Sequence, residues 1–429
     1  MALPQLKNDA TVARLDGLAL PEGAAWATAA RKDALSRVTQ MGLPHKRDEY
    51  WRYTDPVNFV TADLDEAATF DNDEAPLFDA IDRVKVVFVD GVYDAGASDD
   101  LSADGIEIEM LSDAMSTDIH WAKDLYGALE TNGQSPVERP LAALNTAFAE
   151  NGVVIRATAK ATKPVNLIYK RGDTTASDAM VHHVVKVEEG AAVTVLETGP
   201  AAARLSSVLE VDVAATGAFH HVRSQGRDHE RRAVTHCFAR ISTESTFKSF
   251  TLTVNGALTR NECIIEINGG DAIAHVAGAC VGDGKDFHHD DTIFITHDAV
   301  NCESRQVFKK VLRNGATGVF QGKILVKAGA QKTDGYQISQ SLLLDDDSQF
   351  LAKPELEIYA DDVACSHGST SGAIDETALF YLQSRGVPRR QATDLLTLAF
   401  LAEALDEIDN DDLADDLRDR LESWLARHG

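Results

Sequence analysis

Aromatic rings are scarce: Phe, Trp and Tyr make up 7% of the 429 residues. A core built around large rings is excluded, and the plentiful Ala, Val and Gly favour narrow, closely packed layers. Basic residues are also few, 41 against 68 acidic, for a formal charge of −27. Such a chain repels phosphate backbones, which argues against general nucleic-acid binding. The excess acid serves solubility, as in a salty cytoplasm, and much of it lies in the tail at Asp406, Glu407, Asp409, Asp411, Asp412, Asp415 and Asp416. That spacing is the pattern of a solvated helix face. No run approaches the about 20 apolar residues that span a bilayer. The opening MALPQLKNDATVARLDGLAL lacks the basic-then-apolar layout of a secretion signal. Five scattered cysteines (Cys237, Cys263, Cys280, Cys302, Cys365) form no C-x-x-C pair, against a disulfide framework or a zinc ribbon. A reduced, cytoplasmic protein without a membrane span is expected.

Catalytic signatures are missing too. There is no phosphate loop: Gly322-Lys323 is followed by Ile324, and Thr317 stands where its first glycine would be. Neither a G-x-S-x-G elbow nor an H-E-x-x-H helix occurs. The chain is not expected to hydrolyse ATP by itself.

What is present divides into three regions. Residues 1–150 read as mixed and helix-rich. A helix is expected over Gly23 to Gln40, stopped by Gly42 and Pro44, and another from Leu141 to Glu150. The run VKVVFVDGVY from Val84 marks the first strand. Over 151–372 short apolar or alternating segments follow one another between Gly, Asn and Asp turns, with no convincing helix. A β-solenoid explains so many short strands best, and a large β-sandwich fits the same pattern. No hexapeptide or nonapeptide repeat is present, so the solenoid is expected to be irregular. Over 373–429 three helices are expected. One is AIDETALFYLQSR with Asp375 and Glu376 at its positive end and Gly386 as its stop. The second opens at Pro388 with an apolar face of Leu395, Leu396, Ala399, Phe400 and Leu401, and the third runs from Asp411 to Arg427. That face either packs on the β body or meets a partner.

Fourteen histidines invite a metal hypothesis, with clusters at His182-His183, His220-His221, His288-His289 beside Asp290-Asp291, and His297 near Cys302. Adjacent strand residues point to opposite faces, so no such pair can share one ion from a regular strand. Structural or surface roles are expected for them. In DDVACSHGST, by contrast, Cys365 and His367 are two apart and face the same way. A thiolate beside an imidazole suits iron or a nascent cluster, though two ligands make an incomplete site. The other reading is a buried thiol and a hydrogen-bonded imidazole. A polysaccharide-cleaving β-helix enzyme is disfavoured by the sparse aromatics and the missing secretion signal.

The segments CESRQVFKKVL, GVFQGKILV, AQKTDGYQ, LLLDDDSQFLAKPELEIYADDVACSHGST and DETALFYLQSRGV, with GLPHKRDEYWRYTDP near the start, closely resemble the SufB/SufD family of Fe–S assembly scaffolds. Cys365-Ser366-His367, where the SufB branch carries Glu-His-Glu, places the resemblance with the SufD branch. It implies a mostly β protein, a right-handed parallel β-helix between helical N- and C-terminal regions. The implied role is a non-catalytic subunit that pairs with a SufB-like chain along the β-helix and holds a SufC-like ATPase on its C-terminal helices. His367, and less firmly Cys365, are implied as ligands of a transient Fe–S cluster or iron at that interface. Flavin binding is associated with such complexes, but this chain shows no fingerprint for it. A homodimer is expected without partners, and an independent homodimeric metal or flavin carrier is the alternative function. Gly335 and Ser371 depart from the family's usual Ala and Val, and neither is expected to touch a ligand.

Overall fold

The computed structural model describes residues 3–68, 75–199, 202–226 and 230–428. Helices α1 (Gln5–Leu15), α2 (Ala25–Met41) and α3 (Val57–Val60) precede the first strands, β1 (Val84–Val89), β2 (Val92–Tyr93), β3 (Ser102–Ala103) and β4 (Ile106–Met110). Then follow α4 (Leu111–Ser116), α5 (Ala128–Asn132) and α6 (Pro140–Phe148). The β body continues with β5 (Val153–Ala157), β6 (Val165–Lys170), β7 (Asp178–Val187), β8 (Ala192–Thr198), β9 (Arg204–Val213) and β10 (Ala218–Gln225). After these come β11 (Arg232–Ile241), β12 (Thr246–Val254), β13 (Leu258–Ile267), β14 (Ile273–Asp283) and β15 (His288–His297). The last five are β16 (Glu303–Arg313), β17 (Thr317–Val326), β18 (Asp334–Leu343), β19 (Gln349–Ile358) and β20 (Ala364–Gly372). Helices α7 (Glu376–Ser384), α8 (Arg389–Leu405) and α9 (Asp411–His428) end the chain.

From β5 on, successive strands alternate between two ten-stranded sheets, ordered β2-β1-β6-β8-β10-β12-β14-β16-β18-β20 and β19-β17-β15-β13-β11-β9-β7-β5-β4-β3. From β5 to β20 every pairing within each sheet is parallel and in register. This is the solenoid expected from the strand pattern, and not a sandwich. Several elements of the first 150 residues were not legible: the short α3, β3, α4 and α5, α1, which has no side-chain cap, and β4, whose IEIEM pairs antiparallel with β5.

The turns show why the coil holds its pitch. Thr216, Glu244, Asp271, Asn301 and Lys332 all take positive φ. Each donates its backbone N–H to the carbonyl of a residue one turn ahead: Thr243, Gly270, Val300, Gln331 and Asp362. Left-handed backbone at non-glycine positions is unfavourable one residue at a time, and here each is held by its stacked neighbour.

The interior is half apolar and half polar. Val185, Val211, Ile241, Ile267 and Ile295 fill one side. On the other, Glu197 Oε1 lies 3.0 Å from His221 Nε2, and His221 Nδ1 lies 3.0 Å from Ser249. Further along, Lys310 Nζ reaches Asp291 at 2.6 Å and His289 Nδ1 at 2.8 Å. Most buried polar groups in proteins are partnered, and here neighbouring turns and the facing sheet supply such partners.

Both outer faces are covered. The C-terminal helices lay Leu401, Leu405, Leu417, Leu421 and Trp424 on Phe250, Leu252, Val281 and Val311 of the sheet ending in β20. The buried stripe of α8 therefore runs through Ala392, Leu401, Ala404 and Leu405, while Leu395 and Ala399 point outward. The five-residue face expected for this helix is thus split between core and surface. Its period is right but its phase is rotated, because Thr397 takes a buried position. On the other sheet, the segment around Glu49–Trp51 is pinned down. Tyr50 donates its hydroxyl to Glu355 at 2.6 Å, Thr54 donates to Asp290 at 2.6 Å, and Trp51 lies 4.2 Å beneath the Arg260 guanidinium.

Candidate functional site

With both faces covered, the bare part of the solenoid is its C-terminal end. β20 pairs with β18 on one side and with no strand on the other among the described residues. Its register sets Cys365 over Gly335, His367 over Gln337, Ser369 over Ser339 and Ser371 over Ser341. Ser339 and Ser341 each donate to their partner's hydroxyl at 3.0 Å. Cys365 packs toward Ile324 and Leu356 of the opposite sheet. Alternation therefore turns all four odd-numbered side chains of β20 inward, over an interior that no further turn closes. Cys365 and His367 do share a face, as their spacing requires. Cys365 is half-buried, while His367 is exposed.

Burial pushes the Cys365 thiol above its ordinary range, only partly offset by the Gly335 backbone N–H. The resting side chain is a protonated thiol, and a bound metal would have to displace its proton. The midpoint of iodoacetamide alkylation of Cys365 against pH should accordingly lie above the about 8.5 of free cysteine. A Cys365→Ser control identifies the signal, and a midpoint at or below that of free cysteine contradicts the assignment.

Among the described residues, no three His, Cys, Asp or Glu side chains converge as a metal site. Each histidine pair is split across its strand. His182 turns to Glu210 (2.9 Å) and Asn145 beneath α5 and α6, while His183 faces the interior and meets the Tyr169 hydroxyl at 2.8 Å. His220 points out toward Asp409, while His221 points in to Glu197. His288 faces Thr54 and His289 faces Lys310. His297 bonds Ser304 at 2.8 Å, while Cys302 donates to the Gly269 carbonyl. Burial lowers His183, His236 and His297 to about 4, so these rings are neutral structural groups near neutrality. His367 stands apart in being exposed at an open strand edge.

Past the end of β20, α7 starts on an Asp375 cap that accepts from Thr377 N at 2.8 Å and Ala378 N at 3.2 Å. It presents Phe380 and Tyr381 at 72% and 55% exposure, and Leu395 follows on α8 at 45%. Three large apolar side chains left in water on one short helical hairpin suggest a contact surface.

Residues 170–400 match the family model described as SUF system FeS cluster assembly, SufBD core domain, and residues 21–167 match the SufBD protein N-terminal region. The chain belongs to the SufB/SufD family. The iron–sulfur cluster assembly protein SufD of Escherichia coli K12 is 27% identical over 395 residues, 88% of each chain. A SufBD family iron–sulfur cluster assembly protein of Synechocystis is 28% identical over 411 residues, covering 88% of this chain and 86% of its own. SufD of Bacillus subtilis is 35% identical over 98 residues, covering 23% and 22%. Within the family this chain is SufD-like.

One expectation about departures from the family pattern is corrected. A Cβ at Gly335 would stand 3.1 Å from the Cys365 sulfur, closer than ordinary packing. The glycine therefore makes room for the thiol. Ser371 pairs with Ser341, which is not a candidate ligand, so the correction concerns Gly335 alone. Both departures sit on the inward columns, a placement that depends on a register invisible in the sequence. For the same reason Gln337, directly behind His367, escapes a reading of local motifs. The signal was its spacing: Gln306, Gln337 and His367 fall 31 and 30 residues apart, one turn of the coil each.

Proposed function

We propose that this chain is a scaffold subunit of the SUF Fe–S assembly machinery, working in the cytoplasm with its solenoid end as the assembly face. The observation that carries this reading is the pairing of a thiol and an exposed imidazole on a terminal strand with one open edge. Two donors cannot complete a shell, so the missing ones come from a second chain laid against the same edge, a SufB-like scaffold. Iron and sulfide are the cargo here, and a shell shared between two proteins suits transfer because separation of the chains breaks it. The Phe380–Tyr381–Leu395 surface is the docking site for a SufC-like ATPase. ATP-driven closure of two such subunits would shift the scaffold interface through α7, which follows β20 directly. This chain supplies position and two donors, and the ATPase supplies the energy.

The alternative, an independent homodimeric metal or flavin carrier, draws on the same free edge, since a strand edge can pair with a second copy. Gentle purification of the N-terminally tagged chain from its own cells separates the two. Recovery with a SufB-like chain and a SufC-like ATPase supports the scaffold. Recovery alone, with saturable metal or flavin, overturns it.

A further inference from the structure

Gln337 lies fully buried on β18, in register with His367. Its Nε2 donates to Gln306 Oε1 at 2.9 Å, while its Oε1 has no hydrogen-bond partner. A buried carbonyl left without a partner forfeits its hydration uncompensated, so its retention asks for a reason. The space it occupies is built for it. A Cβ at Gly322 on the facing strand would stand 2.3 Å from Gln337 Nε2 and 2.7 Å from its Cδ. Any larger residue there would evict the carboxamide. In-register parallel strands run about 4.8 Å apart, within reach of a rotated imidazole. Among the described residues no further turn separates the ring from solvent.

A metal-ligating histidine ordinarily donates its other ring N–H to a carbonyl or carboxylate, which fixes tautomer and orientation. We infer that Gln337 is a positioning residue for His367. Its Oε1 accepts one ring N–H, leaving the other nitrogen unprotonated and aimed out of the open end at an incoming Fe(II) or Fe–S cargo. In the orientation seen, the bond from Nε2 to Gln306 leaves the Gln337 carbonyl oxygen free to accept. The inference rests on His367 being a cargo ligand, as proposed above.

The test uses the full chain with 15N-labelled histidine, and separately the complex co-expressed with its partners. In the wild type the His367 nitrogens should show one dominant tautomer. Gln337→Leu should return them to the mixed tautomers of a free imidazole and cut cluster formation on the complex by about ten-fold or more. Gln337→Glu, which keeps an acceptor in place, should restore the single tautomer and most of the cluster. A mixed tautomer in the wild type overturns the inference even if a variant fails to fold. So does a Gln337→Leu protein with unchanged tautomer and yield, provided His367→Ala abolishes cluster formation. If His367→Ala itself has no effect, it is the ligand reading that fails.

Discussion

His367→Ala should leave the chain folded and its complex intact, yet lower Fe–S cluster formation in cells by about ten-fold or more. The first half follows from placement. His367 is exposed on the last strand and no hydrogen bond of the described structure depends on its ring, so its loss falls in the range of ordinary surface changes, within about 0.5 kcal/mol. The second half follows from donor count. On the proposed function Cys365 and His367 are this chain's two donors, so removal of one would halve what it contributes to a shared shell. The protonated resting state of Cys365 makes it the poorer donor until iron arrives. Cluster yield is read on the purified complex by visible absorption, alongside co-elution of the partner chains. A normal yield removes His367 from the mechanism, and loss of the partners would make it an interface residue instead.

Arg260→Ala should be among the most damaging substitutions in the molecule, at about 3–5 kcal/mol. Its guanidinium is fully buried between Glu262, at 2.8 Å from Nε, and Asp290, and it lies over Trp51. Arg139 joins the same carboxylate at 2.8 Å. Burial alone would raise the Glu262 carboxyl, but Arg260, Arg139 and His236 outweigh it and hold it down to about 2. Deleting Arg260 strands charge in a dry site and releases the Glu49–Trp51 segment that covers this sheet. Urea unfolding followed by Trp fluorescence measures the loss, and a change under about 1 kcal/mol would show the cluster to be replaceable. The pH dependence has a definite sign. The depressed Glu262 contributes stability in full above its unfolded value of about 4.5, and that contribution is lost as pH falls toward 2.

Local chemistry was legible in the sequence and lateral placement was not. The strands from Val153 onward, the helix over 25–41 and the three C-terminal helices follow from period, caps and stops, which act within a few residues. Cys365 and His367 could be named because period-two alternation is also local. What escaped depends on which turn lies on which. The Glu262 cluster joins residues from 139 to 290, and the phase of α8 is set by β14 and β16, strands far from it in sequence. A search for side chains recurring every 28 to 31 residues would have recovered the His221–Ser249 and Gln306–Gln337 columns, because each turn uses about that length.

The stacked positive-φ turns make the molecule a ruler as well as a platform. Because each turn is templated on the next, the chain between its two ends can lengthen or shorten only by whole turns, in steps of about 4.8 Å. From β6 to β20 there are seven such steps along one sheet, so about 34 Å separates the start of the parallel coil from the strand that holds His367. Loss of a few residues inside a strand would shift every inward column, whereas loss of one full turn would preserve them all. The separation between the ends is therefore quantised, and a partner that grips both can be matched by counting turns rather than by redesigning either end.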